Sequence, residues 1–406
     1  MAKIYEMDAA ATQRLEQYFE RIGTHLKDRR KRESFAIYAF GILGETERKS
    51  VEPIAAAACG DPARAVHMHD KLLHFVGQSS WSDEAVRLEA SRYVIDVLAA
   101  REPITTWIID DTGFLKQGTH SVGVQRQYTG SAGKICNCQI GVSLAVATAT
   151  EQVPIDFQLY LPESWTEDRA RRREARIPDE VQFKSKVDLA IEMIDRAARA
   201  GIPGDVILAD SAYGKSWEFR ETVRTLGFDY AVAVRNNTKV CRIGAGGRLG
   251  TTVGVTELAR RVPRRQRRTI AWREGTSATM TSRFHFCRVK VAGKDGTPID
   301  DREPVWLVIE YPPDADPKFV LTTLPRRMSH KQIVRTIKER WRIERTYEDL
   351  KGELGLDHFE GRSFPGWHHH VSVVICCYAF VVAERVRAFP PSAGRALQTN
   401  TVGVAA

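Results

Sequence analysis

The chain has no apolar run long enough to cross a bilayer: its best segment, Val371 to Val382, stops at about 12 residues where a spanning helix needs about 20. The opening residues, Met1-Ala-Lys-Ile-Tyr-Glu, lack the charged start and apolar stretch of a secretory leader. Cysteine is sparse, with 7 in 406 residues, and only Cys136-Asn-Cys138 and Cys376-Cys377 stand close together. That spacing builds neither a disulfide frame nor a zinc site. Internal repeats and low-complexity segments are missing too. Together these absences lead to the expectation of a soluble, reduced, cytoplasmic protein.

What is present in excess is positive charge. Against 51 Asp and Glu stand 60 Lys and Arg, giving a net charge of +9 and a pI near 9.2. Such a balance favours a polyanionic partner, nucleic acid first among them. The length exceeds one ordinary core and implies several domains.

Residues 1–100 carry apolar positions at helical spacing, as in Ala36-Ile-Tyr-Ala-Phe-Gly-Ile-Leu and Val86 to Leu98, which predicts an all-α N-terminal domain. Lys27, Arg29, Arg30, Lys31 and Arg32 lie there, as a phosphate grip or a solvated helix end. From Thr105 the pattern turns to strands: Trp107-Ile-Ile closing on Asp110-Asp111, then Ile135 to Ala147 and Val153 to Leu161 as an antiparallel meander. A helix at Lys186 to Ala198 precedes Val206-Ile-Leu-Ala-Asp210, an unbroken apolar run ending on an acid, as in strands buried on both faces. Residues 101–235 thus form the first part of an α/β core. Residues 236–322 read as a β-rich insertion domain holding the densest basic run: Arg260, Arg261, Arg264, Arg265, Arg267, Arg268 and Arg273, with Trp272 among them. An aromatic among cations suits single-stranded or distorted nucleic acid. Residues 323–387 return to the core, and 388–406 form a flexible tail.

The segment Arg340 to Lys351 places one acid between two bases. At about 100° per residue Arg340, Glu344, Glu348 and Lys351 share a sector of roughly 80°, beside an apolar one of Ile343, Tyr347, Leu350 and Leu354. Two strand-end acids and one acid on a late helix are what two-metal phosphoryl transfer needs, because hard divalent ions about 4 Å apart take carboxylate oxygens. Each acid alone has a plainer reading, as a helix cap or a surface ion pair. Their order along the chain is that of an RNase H-like fold: an α/β mixed sheet with flanking helices, interrupted by the β insertion and preceded by the helical domain.

These residues carry a resemblance. The spacing of Arg340, Glu344 and Lys351 resembles the Tyr, Arg, Glu, Lys signature of DDE transposases of bacterial insertion sequences, the cut-and-paste branch with a β insertion. Asp110-Asp-Thr-Gly-Phe-Leu-Lys116, Ser121 to Gly130 and Ala209-Asp210-Ser-Ala-Tyr213-Gly also look like that group. The resemblance implies a DNA transposase, with Asp110, Asp210 and Glu344 as the catalytic and metal-binding triad for two Mg2+ ions, Mn2+ being an alternative. It implies that Arg340 and Lys351 contact the phosphates of double-stranded DNA at the terminal inverted repeats, and that a homodimer pairs the two ends before joining them to target DNA. One departure is Ile337, where the family has Tyr; Tyr347 sits farther along. Asp111 competes with Asp110 for the first place, and alternation along a strand lets only one of them join the site.

Lys116, Arg126, Tyr128 and Lys134 are candidate DNA-channel residues in a Gly-rich stretch. Trp272 is preferred to Trp306 as a base-stacking ring, while Arg264, Arg265, Arg267 and Arg268 bind DNA beside it. His368-His-His370 precedes a buried helix, and its three rings point apart, which argues against a metal site. Two other functions stay open at this level: a catalytically dead regulator descended from a transposase, and a nuclease that cuts without joining.

Overall fold

The computed structural model describes residues 8–59, 62–274, 279–293, 297 and 304–388. Five helices come first: α1 (Ala9–Gly23), α2 (Arg29–Leu43), α3 (Val51–Ala58), α4 (Pro62–Gly77) and α5 (Asp83–Ala99). Asp8, Asp28 and Ser82 cap α1, α2 and α5 by accepting first-turn N–H groups, which satisfies donors that a helix start leaves free. Four strands follow, β1 (Thr106–Leu115), β2 (Gln125–Thr129), β3 (Lys134–Ala147) and β4 (Gln152–Tyr160). Then come α6 (Glu163–Thr166), α7 (Arg169–Glu174), α8 (Lys186–Arg199), β5 (Val206–Ala209), α9 (Ser211–Gly214), α10 (Trp217–Thr225) and β6 (Asp229–Val234). The remainder holds β7 (Lys239–Ile243), β8 (Leu249–Gly254), α11 (Val255–Arg261), β9 (Arg268–Glu274), β10 (Thr279–Ala292), β11 (Val305–Tyr311), β12 (Lys318–Thr322), α12 (His330–Lys338), α13 (Arg342–Gly352) and α14 (Phe364–Ala388).

The twelve strands of the described residues belong to one mixed sheet. Its path runs β2-β3-β1-β5-β6-β12-β11-β10-β7-β8, with β4 also paired to β3 and β9 to β10. The centre, β1-β5-β6, is parallel, and its strands need cover on both faces. That is why Val206-Ile-Leu-Ala is buried throughout. The remaining pairings are antiparallel.

Helix α14 explains the apolar C-terminal run. It is buried along nearly its whole length, because α5, α2, α4 and β4 surround it. A helix apolar on every side has no solvent face to offer. The helices of residues 9–99 therefore share one continuous apolar core with the sheet. Arg87 of α5, 2% exposed, ties them together: its guanidinium donates to Asp83, to Asp156 of β4 (3.1 Å) and to Ser372 of α14 (2.6 Å). Arg196 of α8 completes the network on the other oxygen of Asp156 at 2.6 Å.

Two expectations are corrected here. The first strand does not end at the acids; it runs on to Leu115, because β3 pairs with it across its full length, Thr106↔Ala147 to Leu115↔Cys138. Nor is Arg340 to Lys351 one helix. A 3-10 turn over Glu339–Trp341 separates α12 from α13, so Arg340 lies on the joint. The tail from 389 onward lies outside the described residues.

Candidate active site

Strand register sets the site. β1 and β5 run parallel with Ile109 beside Ala209, so the next residues, Asp110 within β1 and Asp210 just past the end of β5, lie side by side about 5 Å apart in backbone. Beyond this point β5 gives way to α9, and the edge of β1 opens. Asp210 caps α9, its Oδ1 accepting from the Ala212 N–H at 2.8 Å.

Alternation parts the two adjacent acids of β1. Asp110 turns toward Arg340, whose Nη1 lies 2.6 Å from its Oδ2. Asp111 turns the other way, to the Lys186 ammonium of α8 at 3.1 Å and the Tyr213 hydroxyl at 3.3 Å. Ser143, directly across from Asp110 on β3, hydrogen-bonds the Tyr347 hydroxyl of α13 at 2.6 Å. That bond fixes α13 against the Asp110 face of the sheet.

Glu344, in the first turn of α13, points largely to solvent, its side chain 66% exposed. Its link to the other acids passes through Arg340, 3.4 Å away. One guanidinium thus spans Asp110 and Glu344. At the other end of α13, Lys351 donates to the carbonyl of Gly113 at 2.7 Å with its ammonium over the Phe114 ring. Two cations clasp the helix to β1, three residues apart along the strand.

Electrostatics mark the acids as short of positive charge. Burial raises the Asp110 carboxyl to about 7; Arg340 pulls it down, while Asp210 and Asp111 push it up. Asp210 is also raised, by burial first and by the Asp111 charge. Buried neighbouring carboxylates are costly to ionise together, and a cation relieves that cost. Among the described residues no three acidic, His or Cys groups converge as a ready metal cage. The donors nevertheless suit a hard divalent ion in kind, and Arg340 is the cation that meets them in this structure.

The remaining expected contacts divide. Lys351 and Lys116 are turned inward, Lys116 donating to the carbonyls of Asp357 (3.3 Å) and Phe359 (2.6 Å), and burial lowers both ammonium groups. Trp272 is half-buried under the Lys338 ammonium at 4.5 Å and against the edge of Phe284. Arg267 stacks on Tyr311 at 3.8 Å and Arg268 reaches His330, whereas Arg264 and Arg265 are exposed on a 3-10 turn. Tyr128 is exposed. Ile337 packs on the core. The plain reading holds for His368, His369 and His370, which are buried with backbone carbonyl partners. In the Lys27 to Arg32 cluster Arg29 pairs with Glu33, Lys31 donates to Ser80 O and Arg32 to Leu26 O, while Lys27 and Arg30 are exposed.

Lys186, Tyr213 and Ser143 escape a reading of the sequence alone. Tyr213 lies within the Asp210 motif and could have been found there; Ser143 and Lys186 become visible only when β3 and α8 are laid against β1.

Comparison with known proteins identifies the family. A family model described as "DDE superfamily endonuclease" matches residues 21–279, well over half of the chain. A second, "Transposase DDE domain", matches residues 184–380. A relative from Microchaete diplosiphon, "Probable transposase for insertion sequence element IS701", is 27% identical over 224 residues. That match covers 55% of this chain and 54% of the relative, about half of its length.

Proposed function

The chain belongs to the DDE superfamily endonucleases, and from that premise we propose that it is an insertion-sequence transposase, cutting DNA at the element's ends and joining them to a target. The observation that carries the reading is the abutment of Asp110, on β1, and Asp210, at the end of the parallel neighbour β5, with Arg340 linking Asp110 to Glu344. The order β4-β3-β1-β5-β6 at the centre of the sheet supports the RNase H-like core. The helices of residues 1–100, the β-rich insertion of 236–322 and the returning core of 323–387 are its proposed parts.

Asp110, Asp210 and Glu344 would hold two divalent ions, Mg2+ or Mn2+. When bound, these supply charge neutralisation at the phosphate and a more acidic water. The protein's own contribution is positional. β1 and β5 fix two carboxylates side by side, and α13 carries the third along the open edge of β1. Ser143 and Tyr347 hold that helix in register. Asp111, engaged by Lys186 and Tyr213, stays outside the triad and adds negative potential behind it. Arg340, released from Asp110, would reach the DNA phosphates, and the exposed Arg264 and Arg265 would hold the duplex farther out. Because an element has two ends, a homodimer on DNA follows from the function.

The test is a strand-cleavage and joining assay on DNA carrying the element's own ends. Wild-type protein is expected to cut and to transfer a labelled 3′ end, whereas Asp210→Ala and Glu344→Ala should do neither. Unchanged cleavage in either variant sinks the assignment of the site, and cutting without joining leaves only a nuclease.

A further inference from the structure

Between Asp111 and Glu151 the chain contains no acidic residue. The β2–β3 hairpin occupies the middle of that stretch. In it Tyr128 and Ile135 are directly opposed across the two strands and are exposed at 63% and 60%. Arg126 and Lys134, also exposed, have no ion-pair partner among the described residues. Large apolar groups and bare cations together on an exposed ribbon are unusual for a purely structural hairpin.

The hairpin does not project freely. Its turn folds onto β1 at Gly113: Thr129 is 1% exposed, and Ser131 Oγ reaches the Gly113 carbonyl at 3.4 Å. A Cβ at Gly113 would come within 2.2 Å of Thr129 Oγ1, so only glycine permits the approach. Lys351 of α13 donates to the same carbonyl. Strand alternation then turns Tyr128 outward as Thr129 turns in. Gly113 is three residues from Asp110, about 10 Å, which sets the Tyr128 ring roughly 15–20 Å from the carboxylates once one more residue and the side chain are added. The ring expected to stack on DNA from the sequence, Trp272, is covered by Lys338 and Phe284. The Tyr128 ring is open.

We propose that the Tyr128–Ile135 pair is a stacking platform for an unpaired base of the DNA strand running out of the acidic cleft, with Arg126 and Lys134 holding its phosphates. This rests on the DNA-cutting function proposed above. Every base has a face that an aromatic ring accepts, so the platform would be tolerant of sequence. At about 3.4 Å per nucleotide the held base lies about four to six nucleotides from the bond cut.

The test uses the full chain and two DNA probes that carry the element's end, one fully paired and one mismatched over nucleotides four to six. Wild-type protein should bind the mismatched probe more tightly, and Tyr128→Ser/Ile135→Ser should lose about 5- to 150-fold on that probe, the range set by loss of base stacking. The same variant should bind the paired probe like wild type. Tyr128→Phe should keep the preference, since it keeps the ring. Arg126→Gln/Lys134→Gln should weaken both probes and lower the salt dependence by about two phosphate contacts. Equal losses of the Ser/Ser variant on both probes, or no loss on either, overturn the platform while wild-type cleavage keeps the parent function standing. Should the wild type neither bind nor cut either probe, both fall together.

Discussion

An Asp110→Asn chain is expected to escape most of a stability decline that the native chain suffers between about pH 4 and pH 8. Burial holds the Asp110 carboxyl at about 7 instead of 3.8, with Arg340 already pulling it down. The unfolded chain gives up that proton near pH 4 and the folded chain only near 7. Over the interval the native state binds more protons, so its stability is fully present below pH 4 and falls as pH rises through 7. Three units at about 1.4 kcal/mol each amount to about 4 kcal/mol, an order-of-magnitude figure for a buried, coupled carboxyl. Asparagine also forfeits the charge on the Arg340 hydrogen bond, about 1–3 kcal/mol, but that offset leaves the slope nearly untouched. The assay is the midpoint of urea-induced unfolding against pH for wild type, Asp110→Asn and Arg340→Gln. The difference between wild type and Asp110→Asn should open from pH 4 to pH 7 and then level. In Arg340→Gln the decline should extend to higher pH, since the group that lowers the carboxyl is gone. Parallel curves for wild type and Asp110→Asn would refute the claim that this carboxylate is held against its own ionisation.

On the acid side the sign reverses: burial lowers His368 and His370 to about 4, so stability present above about pH 6.5 should be lost toward pH 4, by about 3 kcal/mol per ring. His370→Gln should flatten that limb in the same urea titration, and an unchanged limb would count against it. Arg87→Met leaves Asp83 without its partner and Asp156 to Arg196 alone, at an expected cost of about 3–5 kcal/mol in unfolding free energy; a loss under about 1 kcal/mol would show that the network does not tie α5 to the sheet. At Gly214 a Cβ would sit 2.0 Å from the Ala233 carbonyl oxygen, while at Gly77 it would meet nothing within 4 Å. Soluble yield on expression should therefore collapse for Gly214→Ala and hold for Gly77→Ala.

Where apolar periodicity was strong, the sequence was legible. Helical segments at Ala36 to Leu43, Lys71 to Val76 and Val86 to Leu98, the buried β5 and the apolar stretch Val371 to Val382 of α14 fall where spacing places them. β2 was missed because Gln-Arg-Gln-Tyr shows no apolar alternation; its pairing with β3 and the burial of Thr129 on Gly113 form it instead, and both are long-range. The break at Glu339–Trp341 was invisible because Glu, Arg and Trp all tolerate a helix. Asp110 and Asp210 were singled out from apolar runs closing on acids, and the structure sets Asp110 within β1 and Asp210 one residue past β5. The long cations were harder. Lys351, Lys116 and Arg340 carry charge on flexible stems, and only the fold decides that a carbonyl or a carboxylate, not solvent, receives them.

The unbroken path of the sheet has a metrical consequence. From β5, which leads into Asp210, to β9, which carries Arg268, the path crosses β6, β12, β11 and β10, five steps of about 4.8 Å, or roughly 24 Å before twist. Hydrogen-bonded strands do not stretch as a linker does. The cleft and the basic run are therefore two marks on one ruler, spaced by about seven base pairs of duplex. Under the proposed function, duplex held at the far mark would present its backbone to the near one at a set helical phase, so inserting half a turn of DNA between them should uncouple grip from cut more severely than inserting a whole turn.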